Sequence, residues 1–158
     1  MIEIINDQQT IEVRIDDLKK DAYTVLELIE YADFGLGIML VAPTKIQEFN
    51  KTFRNKDAAT DILSFAYYPD LKPGERITLP AIDPEAQEKK YLGDIVICPD
   101  FVKNDLPNWH PQTFEQHMQQ LLVHGICHLL GYTHDTEENE TAMQEKEKEL
   151  LEKLRAHN

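Results

Sequence analysis

The run His124-Gly-Ile-Cys-His128-Leu-Leu-Gly131-Tyr-Thr-His134 constrains this chain more than any other stretch. The apolar lead-in Leu121-Leu122-Val123 marks the segment as a helix. On a helix, His124 and His128 stand four residues apart and project from one face. That separation lets two imidazole nitrogens share one ion at about 2.0–2.1 Å each. Gly131 supplies the left-handed backbone that ends a helix. The chain can then turn and return His134 to the same ion. Three neutral nitrogens leave a fourth tetrahedral position open, as catalytic zinc requires. One Zn2+ per chain, held by His124, His128 and His134, is the expectation.

The spacing equals that of the metzincin peptidase signature, H-E-x-x-H-x-x-G-x-x-H. The glutamate that acts there as general base is replaced by Gly125. The metal cage is kept and the proteolytic base is lost, which points to a hydrolase of a substrate other than a peptide. A structural zinc would take a fourth protein ligand, usually Cys. Cys127 is adjacent to His128 but reads as a small packed hydrophobe.

The 158 residues suit a single domain, spanning 1–158. Two cysteines give no disulfide framework and fit a reducing compartment. The first residues lack a basic stretch followed by an apolar run, so no secretory signal is expected. No apolar stretch is long enough to span a bilayer. A cytoplasmic protein with no membrane partner is the expectation.

The formal charge is −13, from 16 basic and 29 acidic residues. Such a surface opposes indiscriminate nucleic-acid binding, and DNA is not an expected partner. The exception is the segment 43–60, where Lys45, Lys51, Arg54 and Lys56 face only Glu48 and Asp57. Positive charge gathered on a negative body draws an anionic substrate locally. A solvated helix face would carry the same residues.

Strand-like alternation marks Ile2 and Ile4, then Ile11, Val13 and Ile15. Helical spacing covers about 17–32. Ile38–Val41, Ile62–Ala66 and Ile95–Cys98 read as strands. Thr44 with Gln47 resembles a capping box, and Ile46, Phe49 and Phe53 form the expected buried stripe of the following helix. The segment 67–90, rich in proline and charge, is expected to be a long mobile loop. The metal helix is expected from Phe114 to near Leu130. A last helix over about 136–155 starts near Asp135 and Glu138, with Met143, Leu150, Leu151 and Leu154 inward. The intermixing of elements predicts an α+β fold with a small mixed sheet packed with helices.

Three stretches together resemble the YbeY family of bacterial rRNA-maturation endoribonucleases. They are Phe49–Asp57 continuing through Thr60–Phe65, then Leu92-Gly93-Asp94-Ile95-Val96-Ile97, and the histidine motif itself. Their order also resembles the family's, over nearly the whole chain. The resemblance implies a zincin-like fold with zinc in the C-terminal helical half. It implies single-strand-specific RNA cleavage, maturation of the 16S rRNA 3′ region and ribosome quality control. Its expected partners are that RNA and the small ribosomal subunit or its proteins.

The arginine of the family pattern falls on Arg54, which can hold two phosphate oxygens in its planar fork. Arg54 is therefore the candidate catalytic residue; pinning the loop to Asp57 or Asp61 is its alternative role. Three positions depart from the pattern: Thr133 stands for the usual Asp, Cys127 for Leu and Ala59 for Pro. Thr133 puts in doubt a carboxylate contact to the site. No general base is identified. His110, His117 and His157 read as surface or packing residues. Two other functions remain open: a zinc peptidase, favoured by spacing, and a non-catalytic ribosome-assembly factor stabilised by zinc. A nucleobase deaminase lacks its P-C-x-x-C element.

Overall fold

The computed structural model describes residues 1–105, 108 and 110–158. They form one mixed α+β domain. Four strands, β1 (Ile2–Asp7), β2 (Gly35–Val41), β3 (Ile62–Ala66) and β4 (Tyr91–Ile97), pair in the order β1-β2-β4-β3. The β1–β2 and β2–β4 pairs are parallel; β3 joins β4 antiparallel. The described helices are α1 (Ile15–Leu28), α2 (Pro43–Arg54), the short α3 (Ala86–Lys89), α4 (Pro99–Asn104), α5 (Phe114–Leu129) and α6 (Glu137–His157).

The period-2 alternation of β2 and β4 separates two cores. Leu36, Ile38, Leu40, Ile95 and Ile97 face the larger core, shared with α1, α5 and α6. Val41, Leu63, Val96 and Cys98 face a smaller core capped by Ile46 of α2. Strands buried on both faces read as nearly continuous apolar runs, as β2 and β4 do. The expected mixed sheet is thus present, with β3 at its edge beside α5.

Helix α5 approaches this edge closely because Gly125 has no side chain. A Cβ there would lie 2.9 Å from Ile95 Cδ1 and 3.1 Å from Ile62 Cδ1. The position that carries the peptidase base therefore faces the sheet, in space already filled by isoleucine. Thr113 starts α5 with a reciprocal capping box to Gln116.

Several local expectations differ from the structure. Residues 11–14 form no strand. Gln8 bonds both the N–H and the C=O of Ile11, at 3.0 and 2.8 Å, so Ile11 has its polar partners without a ladder. Ile15 instead opens α1, whose first turn carries Asp16 and Asp17. Helix α2 has Ala42 as its N-cap and Pro43 in its first turn, where a fixed φ suits the helix. No capping box forms at Thr44; Gln47 donates to Asp57 at 2.9 Å. Phe53 is 57% exposed rather than buried. Thr136, not Asp135, caps α6 by accepting from Asn139 N–H at 3.1 Å.

The loop 67–90 is tied down at defined points. The Arg76 guanidinium donates to the carbonyls of Ile29 and Glu30 at 2.7 and 2.6 Å, where α1 ends. It also lies 3.9 Å over the Tyr31 ring. Ile77 N–H donates to the Tyr31 hydroxyl at 2.9 Å. Tyr68 donates its hydroxyl to the Lys89 carbonyl. Arg76 is the long-range clamp, linking the loop's middle to α1. We expect Arg76→Ala to leave the global melting transition nearly unchanged. It should speed cleavage by a glutamate-specific protease within 67–90 about fivefold, the opening expected from losing ~1 kcal/mol of local hydrogen bonding. Equal cleavage rates in both proteins would show that the clamp does not order the loop.

Candidate metal centre and active-site cleft

Helix α5 ends in a Schellman turn. Gly131 N–H donates to the His128 carbonyl at 3.0 Å, and Tyr132 N–H reaches back to the Cys127 carbonyl at 3.1 Å. Gly131 adopts φ +97, and a Cβ there would meet the Leu71 carbonyl oxygen at 2.1 Å. Only glycine fits both the backbone and the contact. The turn directs Tyr132–His134 back across the end of α5.

Three imidazoles converge as the spacing predicts. Ligand atoms of His124, His128 and His134 all lie within 4.8 Å of one another. The rings of His124 and His128 are edge-on with centroids 4.6 Å apart, and His134 lies 5.1 Å from His128. His124 and His128 are half-buried and His134 is exposed.

Hydrogen bonds define the outer nitrogens. His128 Nδ1 lies 2.9 Å from the Tyr132 carbonyl, which can only accept, so Nδ1 carries the proton. His124 Nδ1 lies 2.6 Å from Glu147 Oε1 and donates to that carboxylate. Both Nε2 atoms therefore turn lone pairs toward each other, 3.2 Å apart. Two nitrogens on one tetrahedral ion at about 2.0–2.1 Å stand about 3.3 Å apart, so the pair fits a bound cation. Burial, then the neighbouring His124, pushes the His128 pKa down to about 4, so this ring offers a neutral nitrogen to a cation. The donor set, three imidazole nitrogens with the outer N–H groups of His124 and His128 oriented, suits zinc.

Glu147 is the residue that sequence reasoning missed. It sits on α6 four residues after Met143 and three before Leu150, in register with the inward stripe. A carboxylate at an inward position was the available signal. A carboxylate contact to a candidate ligand comes from α6, by Glu147 on His124, and none comes from position 133. Thr133 instead donates to Asp135 at 2.7 Å, and Asn139 donates to the same oxygen at 2.9 Å. Cys127 is fully buried, and burial raises its thiol to about 12, so it packs as a neutral hydrophobe. His110 and His157 are exposed, and His117 lies outside the cluster.

The histidines open onto a cleft of about 780 Å³. Arg54, Lys56 and Asp61 also line it, with β3 forming a wall from Ile62 to Ala66. Two cationic side chains thus face one carboxylate. Arg54 ends α2 and donates to the Ser64 carbonyl at 2.6 Å and to the Phe53 carbonyl at 3.2 Å. Its guanidinium also lies 4.8 Å over the Phe65 ring. Among the described residues it makes no ion pair with Asp57 or Asp61. The loop after it is organised by buried Asn50, whose side chain donates to Ala58 O at 2.9 Å.

The Glu147 carboxylate holds the His124 ring in its ligand tautomer. We expect Glu147→Gln to keep the fold but weaken zinc binding about 10- to 100-fold in competition with a chromogenic chelator. Unchanged affinity would mean that Glu147 plays no part in orienting His124.

A family model described as Endoribonuclease YbeY matches residues 3–155. Endoribonuclease YbeY of Homo sapiens is 32% identical over 151 residues, which are 96% of this chain and 86% of that protein. The Staphylococcus aureus protein of the same name is 37% identical over 137 residues, 80% of this chain and 83% of its own length. A solution structure from Thermotoga maritima superposes with a TM-score of 0.62 at 26% identity, covering 99% of this chain and 91% of that one. The family match runs from the first strand into the last turns of α6, and so takes in every element that frames the cleft; the chain belongs to the YbeY family.

Proposed function

We propose that this protein is a zinc-dependent endoribonuclease of zincin-like architecture that cleaves single-stranded RNA, with its metal centre in the C-terminal helical half. Its relatives carry the name endoribonuclease. The observation that carries the reading is the shared cleft: the three-histidine cluster and Arg54 line the same cavity. His124, His128 and His134 would hold the ion. Zinc, when bound, polarises a phosphoryl oxygen and lowers the pKa of water toward about 7.

The chain's own residues supply the rest. Glu147 and the Tyr132 carbonyl accept from the Nδ1 atoms of the two helical imidazoles and so aim their Nε2 atoms inward. Arg54 is already positioned by the Ser64 carbonyl and the Phe65 ring, so little side-chain freedom is lost when it grips a phosphate. Its role is to bind the scissile phosphate and offset charge developing on its oxygens. Gly125 leaves no carboxylate where a peptidase holds its base, and space there is closed. That geometry disfavours the peptidase reading.

Metal-loaded protein incubated with labelled single-stranded RNA and with casein separates nuclease from peptidase; RNA alone should be cut. His128→Ala should lose most bound zinc by elemental analysis and lose cleavage with it. Arg54→Ala should retain zinc and nearly its melting temperature while cleavage falls at least about tenfold, ~1.4 kcal/mol of transition-state stabilisation. A large stability loss with unchanged cleavage per folded molecule would make Arg54 structural. An inactive His128→Ala protein that still supports normal ribosome assembly would favour the non-catalytic reading.

The proposed target is the 16S rRNA 3′ region on the small ribosomal subunit. A body of net charge −13 repels phosphates beyond the cleft. Binding to naked RNA should therefore be weak, with a salt slope of about two or three phosphates. Small-subunit particles should bind more tightly by adding protein contacts. Tight binding to naked RNA with a slope of about six or more phosphates would contradict this targeting.

A further inference from the structure

We propose that Phe53 and Phe65 form a stacking shelf for an unpaired nucleobase at the mouth of the cleft. The inference rests on the nuclease reading and adds a specificity-determining residue, Phe53, to it. Three of the large apolar residues of the smaller core are covered, as Ile46, Leu63 and Val96 are. Phe53 is not: it is 57% exposed on the last turn of α2. Its ring meets Phe65 edge-to-face at 5.3 Å and Phe49 at 6.2 Å between centroids, yet more than half of the residue stays open to solvent. Phe65 in turn lies beneath the Arg54 guanidinium and lines the cleft. The exposed ring is thus continuous with the proposed phosphate grip.

Charge identifies the occupant. Phe53 is flanked by Lys51, Arg54 and Lys56, all exposed, in the basic island of an acidic chain. A single-stranded polynucleotide presents both features needed here: a flat π face for the ring and phosphates on either side for the cations. A base inside a duplex has both faces covered by its neighbours and cannot take this seat. The shelf therefore gives the chain's own residues a reason to prefer unpaired RNA.

The test uses the full metal-loaded chain and short single-stranded oligoribonucleotides with one abasic position, moved stepwise from the scissile bond. Phe53→Leu keeps apolar bulk without a π face, and Phe53→Trp enlarges the face. Phe53→Ala and Phe53→Leu should raise KM about tenfold, the loss falling on KM rather than kcat, while Phe53→Trp restores it. One abasic position should weaken the wild type by a similar factor and leave Phe53→Ala indifferent, as coupling of ring and base requires. Circular dichroism and melting curves confirm that each variant is folded. Equal KM for Phe53→Leu and wild type would mark the ring as a plain apolar contact for another occupant and overturn the shelf. So would abasic penalties that persist undiminished in Phe53→Ala. Wild-type cleavage with an indifferent Phe53 rejects the shelf alone; absence of wild-type cleavage rejects the nuclease reading, and the shelf with it.

Discussion

The backbone turn at Gly131 is the constraint on which the site depends. It ends α5, reverses the chain toward His134 and places the Tyr132 carbonyl against His128 Nδ1. It also packs against the Leu71 carbonyl, so the long loop and the metal helix meet at the same residue. A side chain there would oppose the left-handed φ and collide with Leu71 together. The local sequence requirement and the tertiary contact thus coincide at one glycine.

Around this turn, burial and charge divide the work. The larger core fixes α5 against β3 and β4, with Gly125 allowing the approach. The cleft beyond it holds two cationic side chains and three imidazoles on an otherwise acidic molecule. In such a setting an anion is drawn to the cavity rather than to the general surface. Half-burial also strengthens each hydrogen bond that orients the imidazoles, because water competes less for their outer nitrogens.

The histidine triad was legible because helical spacing and a helix-ending glycine are both local signals. β2 and β4 were legible because continuous apolar runs fit strands covered on both faces, and β3 because its short apolar run is the length of a strand. The failures lie where side-chain partners or the edge of the packing, rather than periodicity, decide the outcome. Ile11 satisfies its backbone groups through the Gln8 side chain rather than a ladder, and periodicity does not register that. Phe53 follows helical spacing yet overhangs the edge of the sheet, so a stripe assignment buries it wrongly. Glu147 lies 23 residues beyond His124, and only the docking of α6 on α5 brings them together. Arg54 was placed by the family pattern; its carbonyl and ring partners on β3 were visible only in three dimensions.

The same docking has a consequence for the order of events during synthesis. A ribosome releases His124, His128 and His134 before it releases Glu147 and the apolar positions Leu150 and Leu154 that seat α6. Until that helix closes on α5, His124 lacks its orienting carboxylate and the larger core lacks Met143, Leu150 and Leu154. Completion of the larger core and orientation of the candidate ligand His124 therefore arrive together, in the single event of α6 docking on α5.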